Sequence, residues 1–292
     1  MKIALQFGIQ PLQFNNVMRI VILEGKVHLE RFNYAEACKP AIDAGFKHIE
    51  LLADVKYMIP NSFRDEVMNE LLKMREEGIT FSVHLPIWSV ELASPNVYIR
   101  KGSVESLVQS IKILEILEPK CYVVHLTGPL AAEFSKLRIP SRYREMLLNR
   151  LTLLSAKSLE EVLSRTGISP RKIAVENVEF PFRYSWEVVR DLNLSICFDT
   201  GHLLAGYSGE YTVMDFLQSH WDYIIEIHLH DGYVKKVNDC IIRRDHLPLG
   251  IGKLPLKRFI KYLVEHKFKG PIVFELPLSK AIVSLKSLLK FL

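Results

Sequence analysis

The sequence predicts an α/β chain folded as a single (β/α)8 TIM barrel, one domain spanning residues 1–292. Three observations carry that expectation. Short β-branched or apolar runs alternate with helical patterns from end to end, and eight of them read as strands. The length suits one α/β barrel of ~250 residues better than a pair of small domains. Neither GxGxxG nor GxxxxGK[ST] occurs, which weakens an open dinucleotide-binding sheet or a P-loop fold.

The elements follow in order. Ile3–Gly8 reads as the first strand; the oversized connection over residues 10–33 contains a hairpin around Glu24-Gly25. The strands His48–Leu52 and Thr80–His84 each follow a helical stretch closed by glycine, at Ala44-Gly45 and Glu77-Gly78. Val104, Leu107, Ile111 and Leu114 mark the helix before Tyr122–Thr127. Leu147, Leu151 and Leu154 mark the next, with Ser158 interrupting the stripe and Val162 resuming it ahead of Ile173–Glu176. Ser195–Asp199 and Ile224–His230 come next. Pro255 stands at a first helical turn whose apolar face is Leu256, Phe259, Ile260 and Leu263, and Pro271–Glu275 is the last strand. All these stripes read as plain core packing.

Composition narrows the class. With 49% hydrophobic and 24% charged residues the chain has enough apolar surface for a core, so disorder is excluded. The longest charge-free stretch, Ile3 to Met18, carries three glutamines and two asparagines, too polar to span a bilayer. The start reads as a strand and not as a secretion signal. Cys38, Cys121, Cys197 and Cys240 are scattered without a CxxC pair, against a disulfide scaffold or a thiolate zinc module. A soluble cytoplasmic protein is expected. The net charge of +5 is spread along the chain. Lys235–Lys236 and Arg243–Arg244 share one late loop, read as a solvated surface or as an anion-binding loop in which Arg243 or Arg244 meets a phosphate or carboxylate.

The functional signal is positional. Six strand candidates finish in a residue that can bind a metal or move a proton: FSVHLP (His84), YVVHLTG (His125), IAVENVE (Glu176), ICFDTGH (Asp199, His202), EIHLHDG (His228, His230, Asp231) and IVFELP (Glu275). The C-terminal strand ends of a barrel form the rim of one pocket. One such histidine is ordinarily a satisfied core residue. Six strands ending this way are not, because desolvated carboxylates and imidazoles cost several kcal/mol unless paired or metallated. The mixture suits Zn, Mn or Co and disfavours calcium, which prefers oxygen throughout. Glu50, in KHIELL, is a candidate supporting group or a structural one.

These motifs, from GFKHIELL to IVFELP, resemble the xylose-isomerase-like TIM barrel superfamily, which holds the sugar-phosphate isomerase/epimerase proteins and the endonuclease IV class of abasic-site nucleases. The resemblance implies a metal quartet of Glu176, Asp199, His228 and Glu275. It matches His202, His246, His84 and His125 to positions that ligate further metals in the nucleases and line the substrate pocket in the isomerases. The nucleases also keep an Asp two residues before the histidine matched by His246. Arg244 stands there, and the adjacent Asp245 would point elsewhere in an extended loop, so a complete trinuclear cluster is not expected.

The resulting reading is a divalent-metal-dependent isomerase or epimerase acting on a sugar, sugar phosphate or polyol, with Glu176 and Glu275 as the acid/base pair. Its partner is a small sugar-type molecule, with no membrane. The alternative is an endonuclease IV-like zinc phosphodiesterase, under which alone DNA would be the substrate. A non-catalytic ligand-binding barrel ranks last, having no need of four convergent metal ligands.

Overall fold

The computed structural model describes residues 5–12, 17, 21–238 and 240–292. Eight parallel strands close into a barrel in the order β1 (Gln6–Ile9), β12 (Pro271–Phe274), β9 (Ile224–His228), β8 (Ser195–Asp199), β7 (Ile173–Glu176), β6 (Tyr122–Val124), β5 (Thr80–His84) and β4 (His48–Leu52). Closure runs through β1, which pairs Ile9 with Phe274 on one side and with Ile49 on the other. Four expected strands have the observed bounds; the first begins later, and Ile3 and Ala4 lie outside the described residues. The hairpin at Glu24-Gly25 joins β2 (Ile22–Leu23) to β3 (Lys26–Val27), and both turn residues have positive φ, as the twist of a two-residue hairpin demands.

Helices sheath the barrel through the faces the sequence marks. Val104, Leu107, Ile111 and Leu114 of the helix Val97–Leu114 are buried, and its Asn96 cap accepts the Tyr98 N–H. Gly45 and Gly78 follow their helices at φ +96° and +95°, conformations that cost an L-residue with a Cβ. Two expectations change. In the helix Ser141–Thr166, Leu147 packs against the core only partly buried, beside the buried Leu148, and Ser158 does not break the stripe: the hydroxyl is buried and donates to the carbonyls of Leu92 (2.8 Å) and Leu154 (3.0 Å). Pro255 precedes the helix Leu256–Glu265, and its carbonyl accepts the Phe259 N–H.

The expected loop over 235–246 is instead an antiparallel ribbon of β10 (Asp231–Val237) and β11 (Cys240–Leu247). Its register shifts near the barrel: Asp231 pairs with Leu247 but Tyr233 pairs with Arg244. Asp245 and His246 therefore stand opposite Gly232 alone, a bulge that bends the strand, and His246 takes φ +49°. Among the described residues no helix is long and apolar enough to cross a membrane.

Candidate metal centre

Glu176, Asp199 and His228 are the last residues of β7, β8 and β9, and Glu275 directly follows β12. Parallel closure brings these ends together, and one ligand atom from each lies within 4.8 Å of the others. His228 Nδ1 stands 3.4 Å from Glu275 Oε2, 3.6 Å from Glu176 Oε1 and 3.8 Å from Asp199 Oδ2. It is buried and makes no hydrogen bond. An orphaned buried imidazole nitrogen facing three carboxylates is costly. Four donors each ~2.1 Å from a common tetrahedral centre would stand ~3.4 Å apart. The spacing and the donor chemistry both fit a divalent cation. The opposite nitrogen, Nε2, lies 3.1 Å from Glu50 Oε2, the outer-shell arrangement that fixes a metal-binding imidazole.

A second donor group adjoins the first. Glu176 Oε2 accepts from His125 Nε2 (3.0 Å) and His84 Nε2 (3.2 Å), while Oε1 faces His202 and His228. One carboxylate thus belongs to both groups. His202, Asp245 and His246 form a third. This corrects the expectation that Asp245 points away: the bulge places its Oδ2 3.6 Å from His202 Nε2 and 3.3 Å from His246 Nδ1. Arg244 pairs with Tyr233 on the exposed ribbon. Arg243 directs its guanidinium to the carbonyls of Ala205 and Gly206, outside the cavity over the quartet.

Local structure sets each member. Asp199 Oδ1 caps the helix Thr200–Leu204 by accepting the His202 N–H at 2.6 Å, and Oδ2 accepts from His230 Nε2 at 2.8 Å. The DTGH glycine is needed because a Cβ on Gly201 would collide with the His230 ring. His230 Nδ1 in turn accepts the His246 N–H and so anchors the bulge.

Electrostatics tie the cluster together. Burial alone would raise the carboxyl of Glu176, but the imidazoles of His125 and His228 hold it well below the usual range. Burial opposed by His228 and His246 likewise leaves Glu275 well below its ordinary value. Burial would lower His84, yet bonding to Glu176 and the charge of Glu50 raise it to about 10. Against the same opposition from burial, Asp199 and Glu176 raise His202 to about 9. Without an ion, protons on the imidazoles balance the carboxylates, and a cation would displace them.

Three contributors lie outside the strand-end pattern. Gln10, just past β1, donates to Glu275 Oε1 at 2.9 Å. Glu226, two residues before His228 and so on the same strand face, is fully buried; it accepts from Ser82 (2.9 Å) and Cys121 (2.7 Å). An acid inside the apolar run IIEIH was the available signal. Asp245 had none, because the bulge arises from pairing. Above the quartet opens a cavity of about 470 Å³ lined by Gln10, His84, His125, Glu176, His202, His246 and Glu275 among others.

The sequence profile described as xylose isomerase-like TIM barrel matches residues 38–291. An uncharacterized protein of Methanocaldococcus jannaschii is 29% identical over 235 residues, covering 75% of this chain and 72% of that protein. Among solved structures, a D-tagatose 3-epimerase-like protein superposes with TM-score 0.69 at 20% identity, over 98% of this chain and 97% of that one. Endonuclease IV from Thermus thermophilus does so with TM-score 0.64 at 17% identity, over 98% and 97%. At these identities the structural likenesses speak for the fold.

Proposed function

The chain belongs to the xylose isomerase-like TIM barrel family, and from that premise we propose that it is a divalent-metal-dependent isomerase or epimerase. Its substrate is a sugar, sugar phosphate or polyol, and its reaction begins with removal of a proton next to a carbonyl. Four free cysteines among the described residues are in keeping with a reducing, cytoplasmic setting.

The observation that carries this reading is the placing of Glu176 and Glu275 at the floor of one small-molecule-sized cavity. Glu176 ends β7 and Glu275 directly follows β12, the two outer strands of the arc β7–β8–β9–β12, so the two carboxylates come from opposite ends of that arc. A volume of about 470 Å³ lies within the ~300–1,000 Å³ of small-molecule sites. Proton removal by a positioned base supplies about 10²–10⁴-fold, too little against a carbon acid. Zn, Mn or Co held by Glu176, Asp199, His228 and Glu275 would polarise the carbonyl and hydroxyl oxygens and stabilise the developing negative charge. Glu275, 10% exposed and held by Gln10 and His246, takes the proton on one face; Glu176 serves the other. His202 and His246 hold substrate oxygens.

The test is hydrogen exchange. Metal-loaded protein incubated with its sugar in deuterated water should place deuterium at carbon. Glu275→Gln should abolish that exchange while still binding substrate, since the amide keeps the shape but accepts no proton. Full exchange by the variant refutes the assignment.

One observation favours a second reading, an abasic-site phosphodiesterase. Asp245 on the bulge completes a third donor group with His202 and His246, and three groups sharing one mouth suit activation of water and stabilisation of a leaving oxygen. Metal-dependent nicking of a duplex containing an abasic site, with no carbon-bound deuterium in a panel of sugars, would decide for it.

A further inference from the structure

A side chamber of about 540 Å³ opens off the cavity above the quartet, sharing Ile87, Trp88, His125 and His202 with it. We propose that this chamber is a second sugar-ring subsite, so that the substrate is a glycoside or disaccharide and not a free monosaccharide. The proposal rests on the isomerase reading only for the identity of the ring at the metal quartet.

Trp88 is the first support. It stands where the two cavities meet with 50% of its surface exposed. An indole left half in water costs apolar hydration that a covering ligand would recover. Its position is built. The buried carboxylate of Asp54 accepts the backbone N–H groups of Ile87 (2.8 Å) and Trp88 (3.1 Å). At the far end of the same loop, Glu91 accepts those of Gly128 (3.0 Å) and Leu130 (3.2 Å). The indole therefore presents a face whose backbone is already ordered, so stacking a ring on it costs little further entropy.

The rest of the lining selects the ligand. Val90, Leu92, Ala132 and Val178 make an apolar wall, suited to the C–H face of a pyranose. Glu133 and Glu179 supply carboxylate acceptors for hydroxyl donors. No Lys or Arg is among the described lining residues, and the nearby Lys136 is bonded to Glu179 at 2.9 Å and stands 3.6 Å from Glu133. Such a chamber offers hydroxyl acceptors and an apolar face, which suit a sugar ring.

The experiment is calorimetric titration of the metal-loaded protein with D-glucose, D-galactose and D-xylose, their phenyl β-glycosides, maltose, cellobiose, lactose and the hexose 6-phosphates. At least one glycoside or disaccharide should bind about tenfold tighter than its parent sugar, ~1.4 kcal/mol. Ala132→Phe, which fills the chamber away from the quartet, should remove that advantage with metal content unchanged; Trp88→Ala serves if the first variant misfolds. A 6-phosphate as the tightest ligand, parent sugars binding as tightly as every glycoside, no binding by any probe, or an advantage untouched by both variants would each overturn the subsite. A glycoside advantage lost in the variant, with no deuterium exchange on any sugar, keeps the subsite and refutes the isomerase. Exchange on free sugars without a glycoside advantage does the reverse.

Discussion

Glu50→Gln tests how the quartet is held. The perturbed contact is the 3.1 Å approach of His228 Nε2 to Glu50 Oε2, between two fully buried side chains. Losing such an outer-shell partner costs ~10–100-fold in metal affinity. The lower end is expected here, because glutamine keeps one acceptor oxygen and Glu226 Oε1 stands 3.7 Å from the same nitrogen. About tenfold is ~1.4 kcal/mol. At a metal concentration 100-fold above the wild-type Kd, the ion would stabilise the wild type by ~2.7 kcal/mol and the variant by ~1.4 kcal/mol. Burial raises the Glu50 carboxyl to about 7 against the pull of His228, so the variant also removes a poorly solvated acid. The metal-free variant should still lose stability, because the protonated His84 loses the buried charge of Glu50 that balances it, so the effect of the ion is read as the difference between the losses with and without it. Chelator competition gives the affinities, and urea unfolding with and without EDTA gives the stabilities. A Kd within twofold of wild type, or an equal loss of stability with and without the ion, would refute the reasoning.

Three further outcomes are expected. Asp199→Asn and Asp199→Ala should both strip the ion, and Ala should cost the metal-free protein ~1 kcal/mol more than Asn does, through loss of the cap on the His202 N–H; unchanged metal content by elemental analysis in both variants would refute the ligand assignment. In the metal-free protein, His84 and His202 titrate in the folded state at about 10 and about 9, above the unfolded ~6.5. Their contribution to stability is full below pH ~6.5 and is lost as pH rises through about 9 and about 10, so the melting temperature after EDTA treatment should fall across that window while the metal-loaded protein holds. A flat profile for the metal-free protein contradicts the charge pairing. Gly201→Ala should destabilise by ~1–3 kcal/mol, since the new methyl meets the His230 ring held at 2.8 Å from Asp199; a wild-type melting curve would show that the ring can move aside.

The barrel and most of the centre were legible in the sequence because they depend on local periodicity. A parallel strand buried on both faces reads as an apolar run, and the polar residue that ends it stands at the C-terminal rim whatever the neighbouring strands contain. His84, Glu176, Asp199, His228 and Glu275 were found in this way. The tertiary structure alone decided which side chains share an ion-sized space and how the ribbon is registered. Asp245 enters its donor group because Asp231 pairs with Leu247 while Tyr233 pairs with Arg244, a two-against-one bulge that no strand period encodes. Gln10 meets Glu275 across 265 positions of sequence, and Trp88 is pinned by Asp54 from another loop. Such contacts are set by barrel closure and strand pairing, long-range geometry to which a sequence window of one helix or strand is blind.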